Sequence, residues 1–386
     1  GGPAGLACAI GCKQLAQLDG KEISVVVLEK GSEPGAHILS GAVMDPRAIT
    51  ELFPNWKELG APLKQRVKSD EVLFLTERDA KRTPNWLIPD CLHNGGNYVI
   101  SLGEVTKWLG QQAESLGVEI FPGFTAAEVL FADDGSVRGV ATGNLGVGKD
   151  GQPHDGFQLG MELRGRYTIF AEGARGHLSK QLINRFKLDA DCDPQSYSIG
   201  IKELWQVREG VCESGKIVHS MGWPADPHTY GGSFLYHLDG NRIALGYVSG
   251  LDYSDPNYQP YEAFQQWKNH PSVKPLLEGG TILSAGARAI VTGGYQSLPN
   301  VEMPGALLIG CSAGLVNVPK IKGVHQAIRS GMLAAEHLAA NNDSAGWNAK
   351  LRASVVVAEL KKVRNFKPAF KKGRLIGLIN AGWETL

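Results

Sequence analysis

The sequence predicts an α/β fold in which a Rossmann-like nucleotide-binding domain carries an inserted α+β domain with mostly antiparallel strands. Three observations predict this fold class. A glycine-rich turn opens a helix of small residues and precedes an apolar strand over 23–28. Residues 197–248 contain four alternating segments rich in β-branched and aromatic residues. Residues 306–339 return to an apolar strand, a tight turn and a helix, so we expect the first domain to be discontinuous.

The first turn reads Gly1-Gly2-Pro3-Ala4-Gly5 and matches part of the G-x-G-x-x-G fingerprint. Gly2 and Gly5 fit its second and third glycines, and its first glycine would lie upstream of residue 1. We therefore expect the sequence to begin inside the motif. Such glycines let the backbone approach a pyrophosphate at a helix N-terminus. A plain tight turn is the alternative explanation.

The apolar strand that follows ends in Glu29 and Lys30. A carboxylate at this place would accept hydrogen bonds from a ribose diol, which favours FAD or NAD over NADP. The next loop, residues 31–42, includes Ser40 and Gly41. These small residues would let a flat ring lie against the backbone, although an ordinary Gly/Ser loop explains them equally well.

The middle of the first domain contains further predicted elements. Apolar residues at helical spacing predict an amphipathic helix over 103–117, and a proline near its start suggests a short helix over 45–60. Residues 61–100 show no clear periodicity. The predicted strands lie at 118–121, 127–131 and 137–142, followed by a strand pair over 161–170. The glycine-rich loop over 171–180 suits the edge of a ligand crevice, and a plain βα loop is the alternative.

The second domain is predicted to be a mostly antiparallel sheet with a helix over 259–270. Its most unusual feature is Gly231-Gly232, which lies between aromatic residues. Bare backbone beside apolar walls suits a flat ligand whose carbonyl needs an N–H donor. The local sequence alone favours a hairpin turn. Tyr230 and His237 are candidate proton donors nearby, but a structural role is favoured for each.

The final strand–turn–helix unit adds the last candidate cofactor-binding residues. The helix covers 323–339. A small-residue turn before a helix N-terminus would carry the ribityl-phosphate end of FAD. The residues assigned to it are Gly310, Cys311, Gly314 and Asn317.

Composition excludes several classes of function. The chain has 39 basic and 39 acidic residues in 386 positions, which argues against a nucleic-acid binder. Its six cysteines form no C-x-x-C pattern, so neither a disulfide framework nor a zinc site is indicated. A tail segment carries seven basic residues and no acid, which suits anionic lipid or an acidic partner as well as a solvated surface: Lys361, Lys362, Arg364, Lys367, Lys371, Lys372 and Arg374.

Nine stretches together resemble the electron transfer flavoprotein–ubiquinone oxidoreductases, membrane-associated flavoproteins that pass electrons from reduced electron transfer flavoprotein to quinone. They run in family order and are distributed over nearly the whole chain. The stretches are GGPAGL (1–6), GAHILSGAVMDPRA (35–48), PGFTAAEVLFADDGSVRGVAT (122–142), TIFAEGARGHLSKQL (168–182), GIKELWQV (200–207), HTYGGSFLYHLDG (228–240), GYVSGLDYSDP (246–256), HPSVKPLLEGG (270–280) and LLIGCSAGLVNVPKIKGVHQAIRSG (307–331).

The resemblance implies an electron-transferring-flavoprotein dehydrogenase with a glutathione-reductase-type FAD-binding domain. By matched position, Gly2, Gly5 and Glu29 would bind the ADP part of FAD. Gly231 and Gly232 would meet the ubiquinone head group. The implied partners are electron transfer flavoprotein, ubiquinone and a lipid surface contacted without a spanning helix. The implied location is the matrix side of the mitochondrial inner membrane or a bacterial cytoplasmic membrane.

The predicted domain boundaries combine both arguments. Residues 1–60, 101–190 and 301–345 would form the FAD-binding domain. Residues 61–100 and 191–300 would form a ubiquinone-binding and membrane-contact domain. Residues 346–386 would form a helical, basic segment that leads to a further domain holding a 4Fe–4S cluster, for which this sequence contains no four-cysteine run.

Two other functions remain open from the sequence. One is an NAD(P)H-dependent flavin reductase or hydroxylase of the geranylgeranyl-reductase-like type. The other is a non-catalytic, truncated FAD-binding fragment.

Overall fold

The structure, a computed structural model, describes residues 1–38, 42–370, 373 and 377. Its mixed α/β architecture confirms the predicted fold class. The α-helices of the described residues are α1 (Pro3–Leu18), α2 (Arg47–Leu52), α3 (Leu102–Ser115), α4 (His177–Phe186), α5 (Pro260–Lys268), α6 (Lys274–Leu277), α7 (Val324–Asn341), α8 (Trp347–Arg352), α9 (Val355–Lys362) and α10 (Phe366–Phe370).

The strands belong to several sheets of different size. They are β1 (Val26–Glu29), β2 (Ala42–Met44), β3 (Gln65–Arg66), β4 (Ser69–Leu75), β5 (Ala80–Arg82), β6 (Tyr98–Ile100), β7 (Glu119–Pro122), β8 (Ala126–Phe131), β9 (Val137–Thr142), β10 (Leu145–Val147), β11 (Pro153–Gln158), β12 (Glu162–Arg164), β13 (Thr168–Phe170), β14 (Tyr197–Gln206), β15 (Lys216–Gly222), β16 (Gly231–Leu238), β17 (Arg242–Gly250), β18 (Thr281–Val291), β19 (Glu302–Met303) and β20 (Ala306–Leu308).

Two parallel strand pairs and two closely packed helices build the first region. β1 pairs with β7, and β13 pairs with β20, both in parallel register. Helices α1 and α7 approach closely because glycines lie at their contact. A Cβ on Gly331 would collide with the carbonyl oxygen of Ala4, and a Cβ on Gly11 would lie 2.9 Å from that of Ala335. This packing fixes the first turn of α1 against α7.

The second region is a seven-stranded sheet with the order β18–β14–β17–β16–β15–β4–β5. Neighbouring strands are antiparallel, except that β4 runs parallel to β15. One face of the sheet packs on α5, where Leu235 and Trp267 join one apolar cluster. On the other face, Tyr236 packs with Val43 and Val99 of the small sheet β2–β6–β3. Met44 and Ile100 of this small sheet share an apolar cluster with Leu6 of α1, so the second face meets the first region.

Several predicted elements are confirmed and others are wrong. Helices α3 and α7 and strand β9 match the predictions closely. The helix predicted over 45–60 is confined to α2, because Phe53 precedes Pro54 and is held in an extended conformation. The strand pair predicted over 161–170 is instead two strands in separate sheets, since β12 pairs with β9 and β13 with β20.

Candidate functional site

The turn at the start of the chain presents bare backbone at a helix N-terminus. Gly2 is the extended N-cap residue of α1, Pro3 is the first helical residue, and no side chain caps this end. A Cβ placed on Gly2 would meet nothing within 4 Å. Uncapped N–H groups and the helix dipole attract an anionic group. The space beside Gly2 therefore fits the predicted pyrophosphate.

Glu29 ends β1 directly beside this turn. One carboxylate oxygen accepts a hydrogen bond from the Gly31 N–H at 2.6 Å, and the other lies 3.4 Å from the Gly1 nitrogen. A Cβ on Gly1 would collide with the Glu29 side chain. The structure thus brings together the predicted ribose acceptor and the predicted phosphate turn. Lys30, the next residue, is exposed.

The turn after β20 packs on the first turn of α1. Gly310 has a φ of +58°, and its Cβ position lies 2.8 Å from the Cβ of Ala4, so both backbone conformation and space require glycine. The Gly310 N–H donates to the Ser330 hydroxyl at 3.0 Å. Cys311 follows in the same turn, and burial raises the pKa of its thiol to about 11. Gly314, with a φ of +79°, ends the turn.

Two buried side chains at the start of α7 were not found by the sequence analysis. His325 and Gln326 are each 1% exposed. Neither amide atom of Gln326, nor Nδ1 of His325, has a hydrogen-bond partner among the described residues. Buried polar atoms without partners are rare, so this helix start is unusual among the described residues. The available signal was the polar pair His325-Gln326, which lies between Val324 and Ala327 in the predicted helix.

The loop over 317–322 is held by a network of hydrogen bonds and charges. The buried Asn317 donates to a Glu359 carboxylate oxygen at 2.7 Å and accepts from the Lys320 N–H at 3.0 Å. Lys320 also lies 3.1 Å from Asp45. Burial alone would raise the pKa of Glu359, but hydrogen bonds from His325 and Asn317 outweigh it and lower this pKa to about 2. Both polar atoms of the Asn317 amide thus have protein partners, and its cofactor role stays a prediction.

Ser40 and Gly41, the other predicted cofactor-binding residues, lie outside the described residues. Their assignment therefore also stays a prediction.

The predicted turn at Gly231 and Gly232 is wrong, because the two residues begin strand β16. Gly231 pairs with Ser249, and Gly232 pairs with Val248. A Cβ on Gly231 would collide with the Val248 carbonyl oxygen, and a Cβ on Gly232 would lie 2.6 Å from that of Ser220. The missing side chains let β15, β16 and β17 approach. A contact with quinone stays a prediction.

Aromatic rings flank Gly232 on the sheet face that meets the first region. Alternate residues along a strand share a face, so Gly232 lies on the side of Phe234 and Tyr236. These two rings stack with centroids 4.7 Å apart. Tyr230, just before the strand, packs edge-on against Phe370 at 5.4 Å. A flat ring fits between such apolar walls.

His237 is placed differently from the other proton-donor candidate, Tyr230. His237 shares the face of Leu235, opposite to that of Gly232, and its Nδ1 accepts from the Glu213 N–H at 3.0 Å. Burial lowers the pKa of His237 to about 4 and raises that of the Tyr230 phenol. Both side chains are therefore neutral near pH 7.

An open cleft of about 780 Å³, counted with the solvent at its mouth, borders the turn after β20. Gly173, Ala174 and Gly176 line one side, within the loop predicted to edge a crevice. Cys311 and Gly314 line the other side. The two loops that the sequence marks thus face a common space.

The basic tail is packed against the second region at one of its residues. Lys367 is 9% exposed, and its Nζ donates to the Ser196 hydroxyl at 2.7 Å and the Thr292 hydroxyl at 2.9 Å. Lys367 therefore does not present a free charge to lipid. Lys371, Lys372 and Arg374 lie outside the described residues.

Two structural features are absent from the described residues. None of their helices has both the length and the apolar character needed to cross a bilayer. In the same part of the chain, no group of three or more His, Cys, Asp or Glu side chains is arranged to hold a metal ion.

Comparison with known proteins adds a family match and close relatives. Residues 197–290 match the family model described as "ETF-QO, ubiquinone-binding". The electron transfer flavoprotein-ubiquinone oxidoreductase of Pseudomonas aeruginosa is 50% identical and aligns with 97% of this chain and 70% of its own length. The mitochondrial protein of that name from Dictyostelium discoideum is 48% identical over 99% of this chain, and the one from Homo sapiens is 50% identical over 95%. The chain spans 66% and 62% of the lengths of these two relatives.

Solved structures of much lower identity share the fold. A geranylgeranyl bacteriochlorophyll reductase-like protein from Thermoplasma acidophilum aligns with a TM-score of 0.67 at 16% identity, covering 100% of this chain and 86% of that one. A flavoprotein/dehydrogenase from Cytophaga hutchinsonii aligns with a TM-score of 0.65 at 14% identity, covering 99% and 91%. At these identities the likeness shows the fold alone.

Proposed function

Because the chain belongs to the electron transfer flavoprotein–ubiquinone oxidoreductase family, we propose that it relays electrons from reduced electron transfer flavoprotein to ubiquinone, which is reduced to ubiquinol. The observation that carries this proposal is that the ubiquinone-binding family segment and the aromatic face around Gly232 belong to the same sheet. The ubiquinone-binding family segment, 197–290, covers β14 to β17 and nearly all of β18. The same sheet turns the aromatic face around Gly232 toward the first region. An electron donor bound in the first region would thus face the quinone.

FAD is the cofactor that fits the first region. Gly2 and the uncapped start of α1 would hold its pyrophosphate, and Glu29 would accept from its adenosine ribose. The turn at Gly310, where Cys311 and Gly314 line the open cleft, would meet its flavin end. When bound, FAD supplies a carrier that accepts electrons singly and releases two. The residues around it bind, orient and shield it, and the described residues need no nucleophile for this.

The quinone would lie on the sheet face between Tyr230 and Phe234, with its carbonyl near the backbone of Gly231 and Gly232. Glycine substitutions test this assignment poorly, because an added Cβ would meet the neighbouring strands. Val248 offers a cleaner test, since it pairs with Gly232 on the same face and is only half-buried. A larger side chain there would fill the space above Gly232 without displacing the strand backbone.

The experiment compares Val248→Trp with Val248→Ala in protein loaded with FAD. Reduced electron transfer flavoprotein and a short-chain ubiquinone analogue are supplied, and both flavin bleaching and quinone reduction are followed. We expect Val248→Trp to lower quinone reduction at least about tenfold, with flavin bleaching unchanged and Val248→Ala close to wild type. Equal quinone reduction in all three proteins would contradict the site. Rapid bleaching by NADPH without electron transfer flavoprotein would instead support a reductase.

A lipid surface is the proposed location, because ubiquinone is lipid-soluble. Trp86 is 82% exposed and its neighbour Leu87 is 53% exposed, in the 3-10 turn Asn85–Leu87. Adjacent exposed apolar side chains of this size suit insertion into the interface of a mitochondrial inner or bacterial cytoplasmic membrane. Sedimentation with liposomes should fall in Trp86→Ser/Leu87→Ser, and unchanged sedimentation would contradict the contact.

The predicted division into an FAD-binding domain and a ubiquinone-binding domain is part of the same proposal. Among the described residues, no group of three or more His, Cys, Asp or Glu side chains is arranged as ligands for an iron–sulfur cluster.

A further inference from the structure

The sheet face that meets the first region carries a positive charge beside the proposed quinone position. Lys202 lies on β14, the strand next to β17. It pairs directly with Gly246, which in turn pairs with Phe234 on β16. Residues that pair across neighbouring strands share a face, so Lys202 and Phe234 project from the same side of the sheet.

A glycine lets these two side chains meet across the intervening strand. A Cβ on Gly246 would collide with the Phe234 ring, so this ring lies over β17 where a side chain would otherwise be. The Lys202 Nζ lies 5.9 Å from the centroid of the ring, within the range of a cation–π contact. Phe234 is one wall of the proposed quinone position. The Lys202 ammonium group therefore borders that position through its contact with this wall.

Lys202 is also a neighbour of Val248, which lies above Gly232 in the proposed site. Val248 pairs with Gly200, two residues before Lys202 on the same strand and the same face. Diagonal neighbours in an antiparallel pair are typically about 7–8 Å apart, which a long side chain can span. Gly200 has no side chain that could separate them. A ring above Val248 would thus lie within reach of the ammonium group.

The same face contacts the first region on both sides of Lys202. Arg288 on β18 pairs with Gly200, and its guanidinium donates a hydrogen bond to the His37 carbonyl oxygen, in the loop after β1. Two residues beyond Lys202 in the other direction along the face, Tyr236 packs with the small sheet β2–β6–β3. The charge of Lys202 therefore lies at the boundary between the large sheet and the first region.

A positive charge in such surroundings favours a negatively charged ligand. The Val248 side chain and the Phe234 ring are apolar, and apolar surroundings strengthen the attraction between opposite charges compared with water. Burial lowers the pKa of Lys202 to about 7, and an anion beside it would oppose this effect and keep the ammonium group charged. Neutral ubiquinone would gain little from this charge when it binds, and more once electrons reach it.

We propose that Lys202 makes the quinone-facing site selective for planar, negatively charged rings, of which deprotonated hydroxyquinones are stable examples. This inference rests on the proposed function. In that reaction each ubiquinone gains two electrons through the cofactor and two protons from solvent, and it leaves as ubiquinol. Lys202 keeps its own proton throughout. Its charge stabilises the ring after electrons have arrived and before protons have.

The binding test uses lawsone, a hydroxynaphthoquinone that is an anion at pH 7, and its methyl ether, which is neutral and has the same rings. Equilibrium dialysis gives the Kd of both for oxidised, FAD-loaded wild type and for Lys202→Met, Lys202→Arg and Lys81→Met. Lys81 is the matched control, because it is exposed on β5 at the far edge of the same sheet. Flavin content and thermal unfolding show whether each variant is folded.

We expect wild type to bind lawsone at least about tenfold more tightly than the methyl ether, because only the anion is attracted to the ammonium group. The preference should fall below about twofold in Lys202→Met, which lacks the charge. It should persist in Lys202→Arg and Lys81→Met, which keep a positive charge at position 202. Val248→Trp should weaken the binding of both ligands, because it fills the proposed site.

Turnover gives a second readout, with reduced electron transfer flavoprotein as the donor. Lys202→Met should lower kcat for a short-chain ubiquinone analogue about tenfold while KM changes less than about twofold, because the quinone is neutral when it binds and becomes charged only during reduction. Ferricenium, a one-electron acceptor that is not a quinone, should be reduced at the wild-type rate. Lys202→Arg should retain most of the quinone reduction.

Three results would overturn the role of Lys202. They are the same preference for lawsone in wild type and Lys202→Met, equal loss of turnover with both acceptors, and tight lawsone binding in Val248→Trp. A wild-type protein that reduces ferricenium but never ubiquinone would instead contradict the proposed function itself.

Discussion

The two glycine clusters that the sequence marks have opposite surroundings in the structure. At Gly2, a Cβ would meet nothing within 4 Å, and the space beside it is open for a ligand. At Gly231 and Gly232, the same Cβ would meet carbonyl oxygens of the neighbouring strands β17 and β15. The missing side chain at Gly2 leaves space for a ligand. The missing side chains at Gly231 and Gly232 let the neighbouring strands approach.

This difference shows how a glycine motif should be tested. A substitution at Gly2 changes what can bind while the fold stays the same. A substitution at Gly231 or Gly232 changes the sheet, so loss of quinone reduction there would not by itself locate the quinone. The following predictions measure stability and cofactor binding, which distinguish residues needed for packing from residues needed for ligand binding. They are given in order of decreasing effect on the free energy of unfolding.

Gly331→Leu should have the largest effect, because it forces α1 and α7 apart. Its Cβ would collide with the Ala4 carbonyl oxygen and lie 2.8 Å from the Cys8 nitrogen, and both are backbone atoms that cannot rotate away. We expect a loss of about 3 kcal/mol or more in the free energy of unfolding, together with loss of bound FAD. Urea denaturation and flavin absorbance measure both. A stable, yellow variant would contradict the close packing of these helices.

Gly232→Ala should cost about 2 kcal/mol, because its Cβ must displace a strand backbone at 2.6 Å. Gly95→Ala is the matched control, since a Cβ there meets nothing within 4 Å. The control should change the free energy of unfolding by less than about 0.5 kcal/mol. If both variants are equally stable, Gly232 is not required by the sheet, and the comparison between the two glycine clusters fails.

Glu359→Gln should make the first region less sensitive to acid. The folded pKa of Glu359 is lowered from 4.5 to about 2, so its stabilising effect is complete above pH 4.5 and is lost as pH falls toward 2. We expect the acid-induced loss of free energy of unfolding in this range to shrink by about 1–2 kcal/mol in the variant. Urea denaturation at a series of pH values measures it. Parallel pH curves for variant and wild type would show that the loop over 317–322 is not held by this charge.

Gly2→Ala should have the smallest effect on stability and a large effect on binding. The apoprotein should unfold within about 0.5 kcal/mol of wild type, because the new methyl group enters open space. FAD affinity should fall at least about tenfold, because the methyl group occupies the proposed pyrophosphate position. Fluorescence titration of the apoprotein with FAD measures this affinity. Normal affinity would place the pyrophosphate elsewhere.

Elements with strong local signals could be predicted from the sequence. Helix α3 has regular apolar spacing and a serine cap at Ser101, and its prediction over 103–117 was close to the observed Leu102–Ser115. Strand β18, with eleven residues, was missed because Ser284, Ala285, Gly286 and Ala287 give no strand signal by themselves. Its pairing with β14 supplies what the local sequence lacks. Strand β4 was missed for another reason, because its apolar run over 72–75 lies in a stretch without clear periodicity and its partner β15 is far away in sequence.

The candidate site was predictable where backbone conformation decides it. Gly2, Gly310 and Glu29 come together in the structure as the nucleotide-binding pattern implies. The buried groups of the site were not predictable. Glu359 accepts hydrogen bonds from Asn317 and His325 only in the folded chain, and no spacing rule joins residues that are so far apart. The resulting fall in the pKa of Glu359 is a property of the tertiary structure.

The position of β4 in the large sheet has a consequence for the order of folding. β4 and β15 are adjacent only after the intervening chain, which includes α3, α4 and β14, has been made, so this parallel pairing has a high contact order. During synthesis, the edge of β4 that pairs with β15 therefore stays unpaired until β15 has been made. A fragment limited to residues 197–290 would lack β4 and would leave the matching edge of β15 unpaired. Shortening the gene to isolate the quinone-facing sheet would consequently favour aggregation over a smaller working protein.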